Sequence, residues 1–151
     1  MLTPRLYIDT TVPSALLDAR TPDRQRLTRQ FWEQRLHDFE AVISMVVLRE
    51  IDDTPDTDKR DAMRSVVGSF GVLDISEEAD DLAGVYVERG VFTERYRADA
   101  LHVAIAVVNG AQYFASWNFS HLVKIATRRQ VNLINALRGY GGIEIAVPPE
   151  L

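Results

Sequence analysis

Short unbroken apolar runs alternate along the chain with longer stretches of helical periodicity. Leu6-Tyr7-Ile8 stops abruptly at Asp9-Thr10-Thr11, and Ala41-Val42-Ile43 stops at Ser44. An apolar run without alternation suits a strand covered on both faces of a parallel sheet. Three further runs complete a set of five: residues 72–75, Tyr113-Phe114-Ala115 and residues 131–134. Helical signals lie between them. Pro13 sits where a first turn tolerates it, ahead of residues 14–18, and Thr21-Pro22 opens the long stretch 23–39. Ser44 is placed to cap a helix carrying residues 47–51, and a polar segment around Pro55 turns into another that ends near Val67. Ser76-Glu77-Glu78 opens a helix that Gly90 stops. Residues 97–109 are apolar almost all round and end at Gly110, which predicts a buried central helix. Residues 119–129 predict one more helix. The tail, from Ile143 to Pro148-Pro149, reads as a terminal connector or edge segment.

Strands alternating with helices predict βα units, a five-stranded parallel sheet and helices on both of its faces: an α/β/α sandwich. No repeat or linker divides the chain, so residues 1–151 read as one domain. A chain of 151 residues buries ~70% of the surface its unfolded form exposes, enough for a real core. Hydrophobic residues at 46% and charged residues at 26% are an ordinary globular balance. The absence of cysteine excludes disulfides, thiolate zinc sites and cysteine nucleophiles, and allows a reducing compartment. No secretory leader and no run of ~20 apolar residues is present, so no membrane partner and a cytoplasmic location are expected.

The net charge of −5 argues mildly against nonspecific nucleic-acid binding. A carboxylate cluster built for divalent cations lowers the formal charge in the same way, and bound metal restores positive potential. Ligands of open parallel sheets bind beyond the carboxyl ends of the strands. Asp9 follows the first strand, Glu50 lies in the helix after the second, and Asn118 follows the fourth past Ser116-Trp117. Asp99 instead opens the central helix, where the apolar run that follows makes a bare carboxylate costly. Converging acids repel, and a hard cation such as Mg²⁺ relieves them and supports phosphodiester chemistry. Each acid alone is equally a helix cap or a solvated helix end. His102, three residues beyond Asp99 on the same helix face, reads first as a packed, hydrogen-bonded core residue. Arg95 and Arg97 stand nearest Asp99 in the chain, and Arg20, Arg24, Arg26, Arg29 and Arg35 crowd the early helices. All could meet phosphates or acidic partners, and the last five serve equally as a solvated face. Trp117 and Phe119 could stack a base, with packing beneath the site the simpler role. Walker A, nucleophile-elbow and calcium-loop patterns are absent.

Leu6 to Val12, Ser44 to Glu50, Arg97 to Ala106 and Ser116-Trp117-Asn118-Phe119 resemble the four motif blocks of PIN-domain proteins. They stand in that family's order over nearly the whole chain, and look most like the toxin-type, VapC-like endoribonucleases of type II toxin–antitoxin systems. The resemblance implies a PIN-like domain in which Asp9, Glu50 and Asp99 hold Mg²⁺ or Mn²⁺. Thr10 matches the small polar residue beside the first acid, and Ser116 and Asn118 match the fourth motif. The implied reaction is hydrolysis of an RNA phosphodiester by metal-activated water. The implied partners are RNA, a cognate antitoxin and a second copy of the chain. One departure stands out: the fourth motif often carries an aspartate where this chain has Asn118, which can offer a carbonyl oxygen but no charge. The alternative is a catalytically inactive PIN-like domain that binds RNA or protein. A phosphotransfer enzyme with Asp9 as nucleophile fits poorly, because such enzymes carry a second aspartate where this chain has Thr11.

Overall fold

The first apolar run lies at the centre of the sheet. In the computed structural model, which describes residues 3–151, five strands pair in parallel in the order β3-β2-β1-β4-β5. They are Arg5–Ile8 (β1), Glu40–Ser44 (β2), Gly71–Leu73 (β3), Tyr113–Ala115 (β4) and Glu144–Ala146 (β5). Leu6, Tyr7 and Ile8 are all fully buried. Successive strand residues point to opposite faces, so both faces of β1 are covered, as the unbroken apolar run requires. The α/β/α architecture is therefore the one expected.

The helices are Thr11–Leu16 (α1), Pro22–Gln34 (α2), Met45–Asp52 (α3), Thr57–Val66 (α4), Glu77–Glu88 (α5), Arg97–Val108 (α6) and Ile125–Leu137 (α7). Ser44 caps α3 by accepting from Val46 N, and Ser76 caps α5 by accepting from Ala79 N. Gly90 and Gly110 follow α5 and α6 with φ of 80° and 74°, a conformation that glycine adopts without steric cost.

Three expectations need correction. The helix of residues 23–39 ends at Gln34, and a short 3-10 turn over Leu36–Asp38 finishes the connection to β2. The helix expected over 119–129 begins only at Ile125, because Asn118 folds the preceding loop: its Oδ1 accepts from His121 N and its carbonyl from Leu122 N and Val123 N. Residues 131–134 are not a strand but the middle of α7. Thr127, Val131, Ile134 and Asn135 are buried while Leu133 and Leu137 are exposed, a helical spacing that a four-residue window hides. The fifth strand is instead the tail segment read as an edge. Ile143 and Ile145 face the core and Glu144 faces solvent. Asn132 Oδ1 accepts from Ile143 N at 2.8 Å and its Nδ2 donates to Ile143 O at 3.0 Å, fastening that strand to α7.

The chain leaves β1 toward β2 and β3 on one side, then returns to build β4 and β5 on the other. The strand order thus reverses between β1 and β4, and the crevice beyond their carboxyl ends is where such sheets bind ligands.

Candidate active site

Asp9 stands at that reversal. Its backbone N–H still donates to Ala115 O at the end of β4 (3.2 Å), while its side chain leaves the strand. Asp9 Oδ1 accepts from Thr11 N at 3.0 Å and from Thr11 Oγ1 at 2.5 Å, a side-chain turn that leads into α1. Thr11 Oγ1 also accepts from Trp117 N at 2.9 Å, and Ser116 Oγ accepts from Asn118 N at 3.0 Å. The first acid and the loop after β4 are therefore one hydrogen-bonded unit. Both Thr11 bonds to Asp9 fall on Oδ1. Burial pushes its carboxyl up to about 6, against the opposing pull of His102, Ser116 and Thr11.

Glu50 arrives from α3. Its Oε1 accepts from Thr10 Oγ1 and from His102 Nε2, both at 2.6 Å. A carboxylate has only acceptors to offer, so Nε2 carries the proton. The other ring nitrogen, Nδ1, lies 2.6 Å from the Tyr7 hydroxyl, which lies 2.7 Å from Ser44 Oγ. A continuous chain thus runs from Ser44 on β2 through Tyr7 on β1 and His102 on α6 to Glu50 and Thr10. Burial disfavours a charged His102, but the Glu50 hydrogen bond and the charges of Glu50, Asp9 and Asp99 hold it above its ordinary value. Burial pushes Glu50 up, and the bond and charge of His102 with the Thr10 hydroxyl outweigh it, leaving Glu50 below the ordinary range.

Asp99 occupies the first turn of α6. A helix that leads into a parallel strand runs antiparallel to it, so its N-terminus lies at the carboxyl end of the sheet. This is how an acid that precedes β4 joins two that follow strands. Asp99 is half-buried, and its one side-chain hydrogen bond among the described residues is a long one, from Asn118 Nδ2 at 3.5 Å. Burial raises its carboxyl above the ordinary value; His102, His121 and Asn118 pull it back in part, and Glu50 adds to the rise.

The structure thus brings Asp9, Thr10, Glu50, Asp99, Ser116 and Asn118 to one crevice. Arg97 turns away: its guanidinium lies 3.4 Å from Asp80 Oδ1 on α5 and 4.0 Å from Glu94. Arg95 is exposed, 5.6 Å from the Tyr96 ring, which lies 3.7 Å from the His121 ring at a tilt of 30°. Sequence reasoning passed over Thr11, Tyr7 and the link from His102 to Glu50. Only Thr11 had a local signal, the Asp-x-Thr spacing of a side-chain turn.

The donors at this crevice are oxygens, the set a hard divalent cation takes, and the raised Asp9 and Asp99 carboxyls are groups that a cation stabilises in their charged form. Among the described residues no three His, Cys, Asp or Glu side chains converge at ligating distance. Glu50 is turned to His102 and Thr10, while Asn118 directs its amide to Asp99 and its oxygen to His121 N. The donor set is thus of the chemical class a hard divalent cation takes, without a ready-made three-residue ligand cluster among the described residues.

No protein-family model matches the chain, and no curated protein matches it in sequence. Solved structures do match in fold. A toxin–antitoxin complex from Klebsiella pneumoniae superposes with a TM-score of 0.60 at 14% identity, over 95% of this chain and 97% of that one. VapC20 of Mycobacterium tuberculosis, a Sarcin-Ricin loop cleaving toxin, gives 0.58 at 18% identity over 92% and 98%. VapBC2 from Rickettsia felis, bound to a DNA fragment from its promoter, gives 0.55 at 10% identity over 94% and 97%. The α/β/α arrangement is thus the fold of these three structures, and it spans nearly the whole length of those chains.

Proposed function

We propose that this protein is a metal-dependent endoribonuclease that hydrolyses RNA phosphodiester bonds, the toxin of a toxin–antitoxin pair. The observation that carries the reading is the gathering of Asp9, Glu50 and Asp99 at the β1–β4 reversal of a VapC-like fold. Asp9, Glu50 and Asp99 would hold Mg²⁺ or Mn²⁺, which when bound lowers the pKa of a water and shields developing charge. The other residues position the acids: Thr11 fixes Asp9, His102 and Thr10 fix Glu50, and Asn118 faces Asp99. The proposed substrate is RNA, and the proposed partners are a cognate antitoxin and a second copy of the chain. The antitoxin is supported by two fold neighbours, a VapBC structure and a toxin–antitoxin complex. No described helix is long and apolar enough to cross a membrane, and a cytoplasmic site of action accords with that role.

The decisive experiment is cleavage of a mixed RNA pool with Mg²⁺ or Mn²⁺, comparing wild type with Asp9→Asn and Asp99→Asn. Cleavage by wild type alone, abolished by EDTA, is the expected result. Full activity in either variant, or persistence in excess EDTA, overturns it. One observation favours the inactive binding module instead: Glu50 is committed to His102, and Asn118 brings no charge. RNA binding without cleavage at high protein concentration would select that reading.

A further inference from the structure

Trp117 and Phe119 follow β4 two positions apart but meet different fates. Trp117 is buried, its Nε1 donating to Thr28 Oγ1 at 2.9 Å, and Thr28 Oγ1 donating in turn to Arg24 O at 2.6 Å. The indole is thereby bolted to α2. Phe119 is 49% exposed. The Arg24 guanidinium stands 5.4 Å from the centroid of each ring and forms no ion pair among the described residues. Beneath it opens a pocket of about 220 Å³, lined by Thr11, Ser14, Asp18, Arg24 and Trp117. The Asp18 charge is already matched by Arg20 at 2.9 Å and Lys59 at 3.7 Å. Thr11 lines this pocket and also holds Asp9, so one residue separates pocket and acids.

We propose that Arg24 and Phe119 form a nucleotide subsite for single-stranded RNA, Arg24 holding a phosphate and Phe119 stacking the adjoining base. The proposal rests on the ribonuclease reading for the identity of the strand. Its chemistry is local. A guanidinium braced on aromatic faces is pre-organised for a phosphate and loses little freedom on binding it. An exposed ring beside it gives an unpaired base a π-face, which a paired base, already stacked in a duplex, does not seek. An acidic peptide would use Arg24 but leave Phe119 idle. Because Thr11 both lines the pocket and holds Asp9, a strand seated at Arg24 lies beside the acids.

The test measures binding of a short fluorescent single-stranded RNA by anisotropy in EDTA across a salt series, and KM and kcat for the same strand with Mn²⁺. Phe119→Ala should weaken binding roughly five-fold or more, and Phe119→Leu should fail to restore it. Arg24→Ala should flatten the slope of log K against log salt by about 0.7, the value of one phosphate contact on a single strand, and Arg24→Lys should restore that slope. An RNA lacking one base should bind wild type less well, yet bind Phe119→Ala as the intact strand does. In cleavage, KM should rise with kcat little changed. Unchanged binding, slope and KM in folded variants overturn the subsite, whether or not wild type cleaves RNA, and so does a wild type that binds no RNA. Binding that depends on Phe119 in a protein that cuts nothing upholds the subsite and removes the ribonuclease reading.

Discussion

Glu50 and Asp99 reach the same crevice from different helices and are held in opposite ways. Glu50 takes two 2.6 Å hydrogen bonds on one oxygen, and behind His102 the chain of bonds continues through Tyr7 to Ser44 in the sheet. Asp99 has one contact of 3.5 Å, from a side chain on a loop. Their acidities part accordingly: Glu50 lies below its ordinary value and Asp99 above it. The protein has already stabilised the charge on Glu50, whereas Asp99 and the buried Asp9 bear charges the fold alone does not balance. A tied arm sets geometry, and a loose arm leaves room for a cation or substrate to complete the site.

The largest effect should come from Asp9, the buried acid at the end of β1. Asp9→Asn keeps the shape and the acceptor for Thr11 but removes the charge. RNA cleavage should fall by more than the ~100-fold typical of outer-shell partners of a metal. Thermal melting should rise or stay level, because a carboxyl pushed up to about 6 by burial opposes folding when charged at neutral pH. A variant that cleaves normally, or that loses activity only by unfolding, would erase the distinction between function and stability at this position.

The tied arm is broken next at His102, which is 2% exposed. His102→Ala leaves a cavity and strips Tyr7 and Glu50 of a partner, so urea denaturation should show a loss of about 2–4 kcal/mol. Cleavage should fall about 10- to 100-fold as Glu50 loses its orientation. The matching change on the loose arm, Asn118→Ala, removes one long contact and one loop bond and should cost only about 1 kcal/mol by the same denaturation. Equal losses from the two would mean that the arms do not differ.

Part of this contrast was visible in the residue pattern. The runs ending at Asp9, Ser44 and Ala115 announce strands whose carboxyl ends carry polar side chains, and alternation of strands with helices places the first turn of α6 beside them. The wiring was not visible. Glu50 and His102 are 52 positions apart and Tyr7 and His102 are 95 apart, so no local spacing marks them. Arg97 misleads for the converse reason: two residues apart on a helix point in different directions, and it packs on Asp80 instead of joining Asp99. Thr10 was visible as the neighbour of Asp9, but its hydroxyl serves Glu50, and Thr11 serves Asp9. At the far edge, residues 131–134 show how a short apolar run reads as strand until the buried positions on either side restore the helical period.

The loose arm can be tightened. Asn118→Asp adds a charge beside Asp99, and the two carboxylates repel until a cation joins them. Calorimetric titration with Mn²⁺ should show binding tighter by about tenfold or an additional ion, as expected when a neutral donor becomes an anionic oxygen ligand. Identical stoichiometry and affinity in the two proteins would show that position 118 lies outside the metal's reach, and that Asn118 serves the loop alone.

The smallest effect tells which way the tied arm runs. Tyr7→Phe deletes one hydroxyl from the core and leaves the ring stacked on Phe114 at 5.0 Å. His102 retains Glu50 and Ser44 Oγ still accepts from Val46 N, so the loss falls on Nδ1 and on the bond between Ser44 Oγ and the Tyr7 hydroxyl. If Nδ1 is an acceptor of the Tyr7 proton, denaturation should register about 1 kcal/mol, the ordinary net value of a neutral hydrogen bond. If Nδ1 is instead protonated and donates to Tyr7, the change strands a buried charged donor, and the loss should approach about 3 kcal/mol. Nitrogen-15 shifts of the His102 ring, read in both proteins, identify the state independently. A loss near zero, with the ring shifts unchanged, would mean that the tied arm ends at His102, and that Tyr7 and Ser44 contribute packing without steering Glu50.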